Sequence, residues 1–232
     1  MTYAIILAGG VGQRAGGSLP KQFQIIGGKP MLFWSIKAFL DAISDISIHI
    51  VCNRDYTDHC VSVLNLLVEE GYSDHIIIAC GGKSRIESVK NGLTSVYNGC
   101  HPVSKDSVVL IHDGARPLVS DTVIRDALAK VRHGVGVVPG IPLSDSIRKV
   151  EAAKTMAVNR NELVAVQTPQ VFMFDEIFKA YDNVNNEAYF TDDASVAEAA
   201  GLKIDLSKGE PENIKVTNPV DFVIAGVLLE KK

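Results

Sequence analysis

The order of the apolar segments constrains the fold of this chain more than any other feature. Short apolar segments rich in β-branched residues lie at Tyr3–Leu7, Ile46–Cys52, His75–Cys80, Ser107–His112 and Val135–Val138. Helical patterns lie at Met31–Ile43, Tyr56–Glu70, Arg85–Tyr97, Asp121–Arg132 and, near the end, Pro219–Leu229. Nearly continuous apolar strands that alternate with helices are typical of a parallel sheet covered on both faces. We therefore predict an α/β fold with a mostly parallel, twisted sheet and ligands at the carboxyl ends of its strands.

The pattern changes after the fifth apolar segment. Helix and strand breakers at residues 139–142 precede two strand-like runs, Ser146–Val150 and Thr155–Arg160, which flank a polar loop. Two such runs predict a β-hairpin, and this one has too few apolar residues for a core of its own. We therefore expect a single domain, residues 1–232, with an extended β-arm at 139–162 that lies on the domain or reaches another subunit.

A glycine-rich loop follows the first predicted strand. It reads AGGVGQRAGGSLPKQF from Ala8 to Phe23 and contains the cations Arg14 and Lys21. A buried strand, a flexible turn and two cations are typical of a polyphosphate site. The loop is not a Walker A motif, because it lacks Gly-Lys-Ser/Thr. The segment Gly10–Ala15 has dinucleotide-type spacing, but the later glycines and Pro20 interrupt the helix that a dinucleotide site requires.

Polar residues also follow the third and fourth predicted strands. After the third, Ser84 and Glu87 have the spacing of a helix capping box, and Ser88 lies where it could hydrogen-bond a base edge. The fourth strand ends at Asp113, with Arg116 three residues later. Mg²⁺ prefers a carboxylate combined with phosphate oxygens, so this pair indicates a metal–phosphate site. The alternative is an internal ion pair that holds the turn.

A third group of polar residues, TDDAS, begins at Thr191. Thr191 is predicted to cap a helix, and a cap is also an anion site. Asp192 and Asp193 would then lie in the first turn, where the helix dipole favours negative charge. A metal site made by the two aspartates is the less favoured alternative.

Charge and cysteine usage exclude several classes of function. The net charge of −4 argues against a broad nucleic-acid surface. No apolar run reaches the roughly 18 residues that a membrane span needs, and the first residues lack the basic start of a signal peptide. The four cysteines have no C-x-x-C spacing, and two of them end apolar strands, which indicates buried, reduced thiols and no zinc site. These features predict a cytoplasmic enzyme with no membrane and no nucleic-acid partner.

Six strings together resemble one enzyme family. LAGGVGQRAGGSLPKQF, GGKSRIESVKNGL, HDGARP, QTPQVF, TDDAS and ENIKVT occur in order along the whole chain. They are similar to the 2-C-methyl-D-erythritol 4-phosphate cytidylyltransferases of the non-mevalonate isoprenoid pathway. The resemblance implies a Rossmann-like nucleotidyltransferase fold and transfer of CMP from CTP to the sugar-alcohol phosphate, with release of pyrophosphate. It also implies Mg²⁺ as cofactor and a homodimer formed through the β-arm.

The resemblance further implies a role for individual residues. The implied catalytic cations are Arg14, Lys21 and Lys215. The implied CTP-binding residues are Ala8, Gly9, Gly10, Gly82, Ser88 and Asp113, of which Asp113 is also the implied metal ligand. The implied substrate-binding residues are Asp113, Arg116, Ser146, Arg160, Thr168 and Thr191. Ser146 and Arg160 would reach from the arm into the site of the other subunit.

Two other interpretations of the same motifs remain open at this point. Ribitol-5-phosphate cytidylyltransferases share the first loop and the HD-x-x-RP, QTPQ and NIK-type strings. The pair Gly114–Ala115 and the TDDAS string favour the erythritol family. A nucleotide-binding regulatory module that has lost activity is the other alternative. The retained Arg14, Lys21, Asp113 and Lys215 argue against it.

Overall fold

The computed structural model describes residues 1–10, 19–72, 75–152, 154–184 and 190–231. Its strands are β1 (Thr2–Leu7), β2 (Ile25–Ile26), β3 (Lys29–Pro30), β4 (Ile46–Cys52), β5 (Ile76–Cys80), β6 (Val108–Asp113), β7 (Val135–Pro142), β8 (Ile147–Glu151), β9 (Lys154–Val158), β10 (Val164–Val166), β11 (Gln170–Met173) and β12 (Lys203–Lys208). Its helices are α1 (Met31–Ala42), α2 (Thr57–Glu69), α3 (Arg85–Tyr97), α4 (Asp121–Lys130), α5 (Phe174–Asp182), α6 (Asp193–Ala199) and α7 (Pro219–Leu229). The predicted alternation is confirmed, with boundaries that differ by a few residues at most.

The central sheet is mostly parallel, as predicted. Its order is β10-β7-β11-β6-β1-β4-β5, and β12 pairs with β7. β1 lies between β4 and β6 and runs parallel to both, so Leu7 stands level with Val51 and with Asp113. β11 is antiparallel to β6 and β7, and the sequence pattern did not predict it. This register brings the carboxyl ends of the parallel strands to one edge of the sheet.

Helices cover both faces of the sheet. Residues of α1, α2 and α4 pack on one face and residues of α3, α5 and α6 on the other. Burial of each large aliphatic side chain contributes roughly 1.5–3 kcal/mol, so these two layers supply most of the stability. A smaller cluster, which includes Met31, Leu118 and Val216, lies under α7 and packs the segment before that helix against the sheet edge.

β8 and β9 form the predicted hairpin. They pair antiparallel from Ile147–Val158 to Glu151–Lys154, apart from the main sheet. Most of the side chains are exposed, with Val150 68% and Met156 57% accessible. Among the residues that the structure describes, the hairpin therefore has no core of its own.

The cysteines follow the prediction only in part. All four are free, and Cys52 and Cys60 are buried, but Cys80 and Cys100 are exposed. The prediction of buried thiols is wrong for those two, because Cys80 ends β5, the last strand on its side of the sheet, and Cys100 lies beyond the end of α3. In the described ranges, no helix is long and apolar enough to cross a membrane.

Candidate active site

A cleft of about 540 Å³ opens at the carboxyl ends of β1, β5 and β6. Its lining residues are Leu7, Gly9, Gly10, Lys21, Gln22, Gly82, Lys83, Ser84, Arg85, Ser88, Asp113, Ala115, Lys215 and Thr217. They come from turns that are far apart in sequence, and the parallel register brings these turns together. The cleft therefore lies where the strand order predicts a ligand site.

The loop after β1 is held by its own glutamine. The Gln22 side chain is buried, and its Nε2 donates to the carbonyl oxygens of Ala8 and, at 3.1 Å, Gly10. Ala8 is itself buried and donates its N–H to Val51, so it contributes no surface to the cleft, whereas Gly9 does. Arg14, a predicted catalytic cation, lies outside the described residues.

Two lysines from distant parts of the chain meet at the cleft. Lys21 Nζ donates to the carbonyl oxygen of Val216 at 2.7 Å, and the neighbouring Lys215 Nζ lies 2.8 Å from Asp113 Oδ2. Val216 also donates its N–H to the Ala115 carbonyl. The predicted cation Lys215 therefore contacts the end of β6 directly, and Lys21 is linked to the residues just after β6 through Val216.

Asp113 is an ionised carboxylate at the tip of β6, and its side chain is only 12% exposed. Burial alone would raise its pKa, but Lys215, Arg85 and Arg116 lower the pKa to about 2. Arg116 Nε lies 3.6 Å from Asp113 Oδ2, while its Nη1 donates to the Asn213 carbonyl at 2.7 Å. Arg116 does not line the cleft that the described residues form. The sequence analysis gave an internal Asp113–Arg116 ion pair as the alternative to a metal–phosphate site. This pair is present, although its distance is long.

Thr168 lies behind Asp113. Its Oγ1 accepts the backbone N–H of Asp113 at 3.1 Å and lies 2.9 Å from His112 Nδ1. His112 Nε2 lies 3.2 Å from the Arg116 carbonyl oxygen, which can only accept, so the ring donates there and its Nδ1 accepts from Thr168. Burial lowers the pKa of His112 to about 4, which keeps the ring neutral. Thr168 thus holds the backbone that carries Asp113.

The wall opposite Asp113 is the start of α3. Ser84 Oγ accepts the Glu87 N–H at 3.0 Å, as a cap should. The Glu87 carboxylate accepts the Lys83 N–H at 2.7 Å, so the reciprocal bond of the predicted capping box falls one residue early. Ser88 Oγ accepts the Gly82 N–H at 3.0 Å, which leaves the hydroxyl proton of Ser88 directed elsewhere. Gly82 and Ser88, which the resemblance predicts to bind the nucleotide, both line the cleft.

The prediction that Thr191 caps a helix is wrong by one residue. Asp192 is the cap of α6, and its side chain accepts the Ser195 N–H at 3.0 Å while Ser195 bonds back to it. A carboxylate is as good a cap as a hydroxyl, so the sequence alone does not separate the two candidates. Thr191 precedes the helix and is exposed. Asp193 is fully buried against Arg85.

Ser146 and Arg160 lie apart from the cleft, on the arm. They line a second cavity of about 570 Å³ beside β8 and β9, where Arg160 donates to the carbonyl oxygen of Ser144. The structure therefore groups these two predicted residues with each other and not with Asp113 or Lys215.

Sequence reasoning missed several residues that line the cleft. Gln22, Lys83, Arg85 and Thr217 were assigned no role, although each belongs to a quoted motif. Two of these residues could have been found from their neighbours in the sequence. Gln22 lies next to the predicted cation Lys21, and Arg85 lies next to the helix cap Ser84. Within the described residues, no group of three or more His, Cys, Asp or Glu side chains is arranged to hold a metal ion.

Comparisons with known proteins agree along the whole chain. The family model described as 2-C-methyl-D-erythritol 4-phosphate cytidylyltransferase matches residues 2–231. A protein of that name from Bacteroides fragilis is 41% identical over 226 residues, which cover 97% of this chain and 98% of the relative. One from Azobacteroides pseudotrichonymphae is 39% identical over 230 residues, 98% of either chain. The crystal structure of 4-diphosphocytidyl-2C-methyl-D-erythritol synthase from Anaerococcus prevotii has a TM-score of 0.79 at 25% identity, covering 99% of this chain and 98% of that one.

Proposed function

The chain belongs to the 2-C-methyl-D-erythritol 4-phosphate cytidylyltransferase family, and from this premise we propose that the cleft beside Asp113 is its active site. The enzyme transfers CMP from CTP to 2-C-methyl-D-erythritol 4-phosphate, a step of isoprenoid precursor biosynthesis. The products are 4-diphosphocytidyl-2-C-methyl-D-erythritol and pyrophosphate. The observation that carries the assignment of the site is the pair of lysines: Lys21 contacts Val216, the neighbour of Lys215, and Lys215 contacts Asp113.

The chemistry explains why cations suffice. The attacking phosphate oxygen is already an anion, so no side chain needs to generate a nucleophile. Two unit charges about 4 Å apart repel by roughly 4 kcal/mol at an effective dielectric constant near 20, and several such pairs form when the phosphate approaches CTP. Fixed cations that offset this repulsion, together with orientation of the two substrates, are the expected sources of catalysis.

We assign to Lys21 and Lys215 the role of stabilising the negative charge on the α-phosphate and on the departing pyrophosphate. Arg14 is assigned the same role as the third cation. Gly9, Gly10, Gly82 and Ser88 form the proposed nucleotide wall; they are small residues, so the backbone can approach a flat base closely. Ala8 is assigned to this wall through its backbone.

The other substrate-binding assignments rest on contacts around Asp113. Thr168 holds the Asp113 backbone, and Arg116 holds the Asn213 carbonyl two residues before Lys215. These contacts support roles for both residues in positioning the sugar-alcohol phosphate. Thr191, exposed ahead of α6, is assigned to the same phosphate.

Asp113 is the residue that would hold a magnesium ion. Mg²⁺ is commonly bound by one or two carboxylates plus phosphate oxygens, with no further protein ligands required. Asp113 is ionised because its pKa is about 2, and it lines the cleft. When bound, the metal would neutralise charge on the phosphates of CTP, while Lys215 keeps the Asp113 carboxylate in place.

We further propose a homodimer formed through residues 139–162. The exposed apolar side chains Val150 and Met156 favour a covering partner, and symmetric pairing is the commonest assembly of soluble chains. Ser146 and Arg160 lie apart from the cleft of their own chain, which suits a role in the cleft of a second subunit. We also propose a cytoplasmic location, which the four free cysteines support.

A pyrophosphate-release assay tests the site. Lys215→Met should lower kcat/KM for CTP and 2-C-methyl-D-erythritol 4-phosphate by roughly 100-fold or more, because it removes a cation from the reacting phosphates. Lys37→Met is the matched control, since Lys37 Nζ also lies 2.8 Å from a carboxylate, that of Asp41, but Lys37 does not line the cleft. Ribitol 5-phosphate replaces the substrate in a parallel assay.

Near-normal turnover by a folded Lys215→Met protein would show that the cleft is wrongly assigned. Equal losses in the two variants would show that the effect comes from folding. If the enzyme preferred ribitol 5-phosphate, the assignment of 2-C-methyl-D-erythritol 4-phosphate as its substrate would be wrong.

A further inference from the structure

A buried ionic cluster lies directly behind the cleft and has no part in the mechanism above. It consists of Arg85 at the start of α3, Tyr181 at the end of α5 and Asp193 at the start of α6. Arg85 Nη1 and Nη2 lie 2.8 and 2.6 Å from the two oxygens of Asp193, which is 0% exposed. Tyr181 donates its hydroxyl proton to the same carboxylate at 2.5 Å. The cluster therefore joins three helices around one buried charge.

The geometry fixes the guanidinium in a single orientation. A planar guanidinium with two parallel bonds to a carboxylate cannot rotate, and the Tyr181 hydroxyl fixes the carboxylate in turn. Gln170 adds a further restraint, because its side chain bonds to the Asp192 side chain at 2.9 Å and to the Ala194 N–H at 2.8 Å. The start of α6, and with it Asp193, is thereby tied to the central sheet.

The outer edge of Arg85 faces the cleft. The side chain is 30% exposed and lines the cleft beside Ser84 and Ser88. A guanidinium has more N–H donors than the Asp193 carboxylate uses, so donors remain for a ligand. Burial alone would lower the pKa of Arg85, but Asp193 raises the pKa above its ordinary range, so the group keeps its charge.

A purely structural ion pair would not need this exposure. Replacing a buried pair by apolar side chains is often neutral for stability, so the pair is weak evidence for a stabilising role alone. Arg85 is also close enough to Asp113 to help lower the pKa of that carboxyl. The cluster thus acts electrostatically on the proposed site as well as on the packing of helices.

We propose that Arg85 is a substrate-binding residue whose free N–H donors grip a phosphate oxygen in the cleft, and that Asp193 and Tyr181 are its positioning residues. This inference rests on the proposed function, because it takes the cleft as the active site. The phosphate belongs either to CTP or to the sugar-alcohol phosphate, and separate KM values for the two substrates distinguish them.

The test is steady-state kinetics of the full-length enzyme with each substrate varied in turn. Arg85→Lys keeps the charge but loses the planar fork, so the KM of the substrate that Arg85 grips should rise at least fivefold, in line with the loss of a charge-assisted hydrogen bond. Tyr181→Phe, which removes only a buried hydroxyl, should raise the same KM by a smaller factor, and the other KM should stay within twofold. Arg132→Lys is the matched control, because Arg132 pairs with Asp205 at 3.0 Å on the exposed surface.

A rise of less than fivefold in both KM values for Arg85→Lys would overturn the proposal, whatever happens to the melting temperature. A Tyr181→Phe enzyme with both KM values unchanged would overturn the positioning role. Failure of the proposed function is detected separately, since it would appear as an unmodified enzyme without activity or as a fully active Lys215→Met variant.

Discussion

At the scale of single residues, the site is defined by how each charge is held. Asp113 has Lys215 on its carboxylate and Thr168 on its backbone N–H. Lys21 and Gln22 are neighbours in sequence, yet one donates to Val216 and the other to the loop after β1. Each charged group therefore has a defined direction before substrate arrives, which is the condition for electrostatic catalysis.

The buried His112 makes stability depend on pH. Its pKa is about 4 in the folded protein, below the ordinary value of 6.5, because burial disfavours the charged ring. Between these two values the unfolded chain binds a proton that the folded protein does not, so stability falls as pH drops from 6.5 to 4. The slope from this residue reaches about 1.4 kcal/mol per pH unit. His49 contributes in the same window, since burial also lowers its pKa to about 4.

Urea unfolding between pH 4 and 7.5 measures this effect. His112→Asn should be less stable at every pH but should show a shallower slope than the unmodified protein, because one titrating ring is gone. Asp113 adds to the slope at the acid end, because its contribution is lost as pH falls through its unfolded pKa near 3.8, so the slopes of the two proteins are compared above about pH 5. Identical slopes in the two proteins would contradict the assignment.

At the scale of elements, the antiparallel strand β11 explains why Thr168 reaches the site. An antiparallel neighbour begins at the edge where β6 ends, and Gln170 stands level with Ile111 in this register. The residues just before β11, Thr168 among them, therefore lie beside Asp113. A parallel strand in the same place would bring its other end there.

The approach of α3 to the sheet depends on Gly92. A Cβ at this position would lie 2.7 Å from Ile5 Cγ2 and 2.9 Å from Val51 Cγ2, both in buried side chains. Gly92→Ala gains about 1 kcal/mol of helix propensity but costs roughly 1–3 kcal/mol of overpacking, and the crowded neighbours make the cost larger. We expect a less stable protein and, because α3 carries Ser84 and Ser88, weaker CTP binding.

Thermal unfolding and calorimetric titration with CTP measure the two effects. Gly226→Ala is the matched control, since a Cβ there has no atom within 4 Å and the site lies within α7. That substitution should stabilise the protein. If Gly92→Ala proved as stable as Gly226→Ala, the packing of α3 would not be limited by this contact.

At the scale of the whole molecule, variants in the arm and in the cleft can be combined to test the proposed dimer. If Arg160 acts in the partner's cleft, Arg160→Ala and Lys215→Met are each inactive alone, but a mixed dimer contains one intact site. Random exchange of subunits should then restore about a quarter of the unmodified activity. The measurement is pyrophosphate release before and after the two variants are mixed.

A mixture that stays inactive, although native mass spectrometry shows that mixed dimers have formed, would place Arg160 in the cleft of its own chain. A monomer in solution would remove the basis for the dimer altogether. Lys37→Met mixed with Lys215→Met is the control for mixing itself, because its activity should stay the same as the subunits exchange.

How far sequence alone could go differs from residue to residue. Lys21 and Asp113 were predictable from the strand pattern, since charged residues after strands of a parallel sheet meet at one edge, whereas Lys215 was expected only from the resemblance of its motif; the structure brings all three residues together. The role of Arg85 was not predictable, because its partner Asp193 is more than 100 positions away and only the packing of α3 against α6 joins them. Thr191 and Asp192 are both good caps, and their local sequence could not decide between them.

The sequence by itself determined the layered α/β architecture, the family and the edge of the sheet that carries the site, because hydrophobic periodicity and turn residues are local properties. Only the tertiary structure decided which donor meets which acceptor: Lys21 with Val216, Lys215 with Asp113, and Arg85 with Asp193. These contacts depend on strand register and helix packing across the whole chain. Such long-range geometry follows from the summed packing of the core, so no single segment of the sequence determines it.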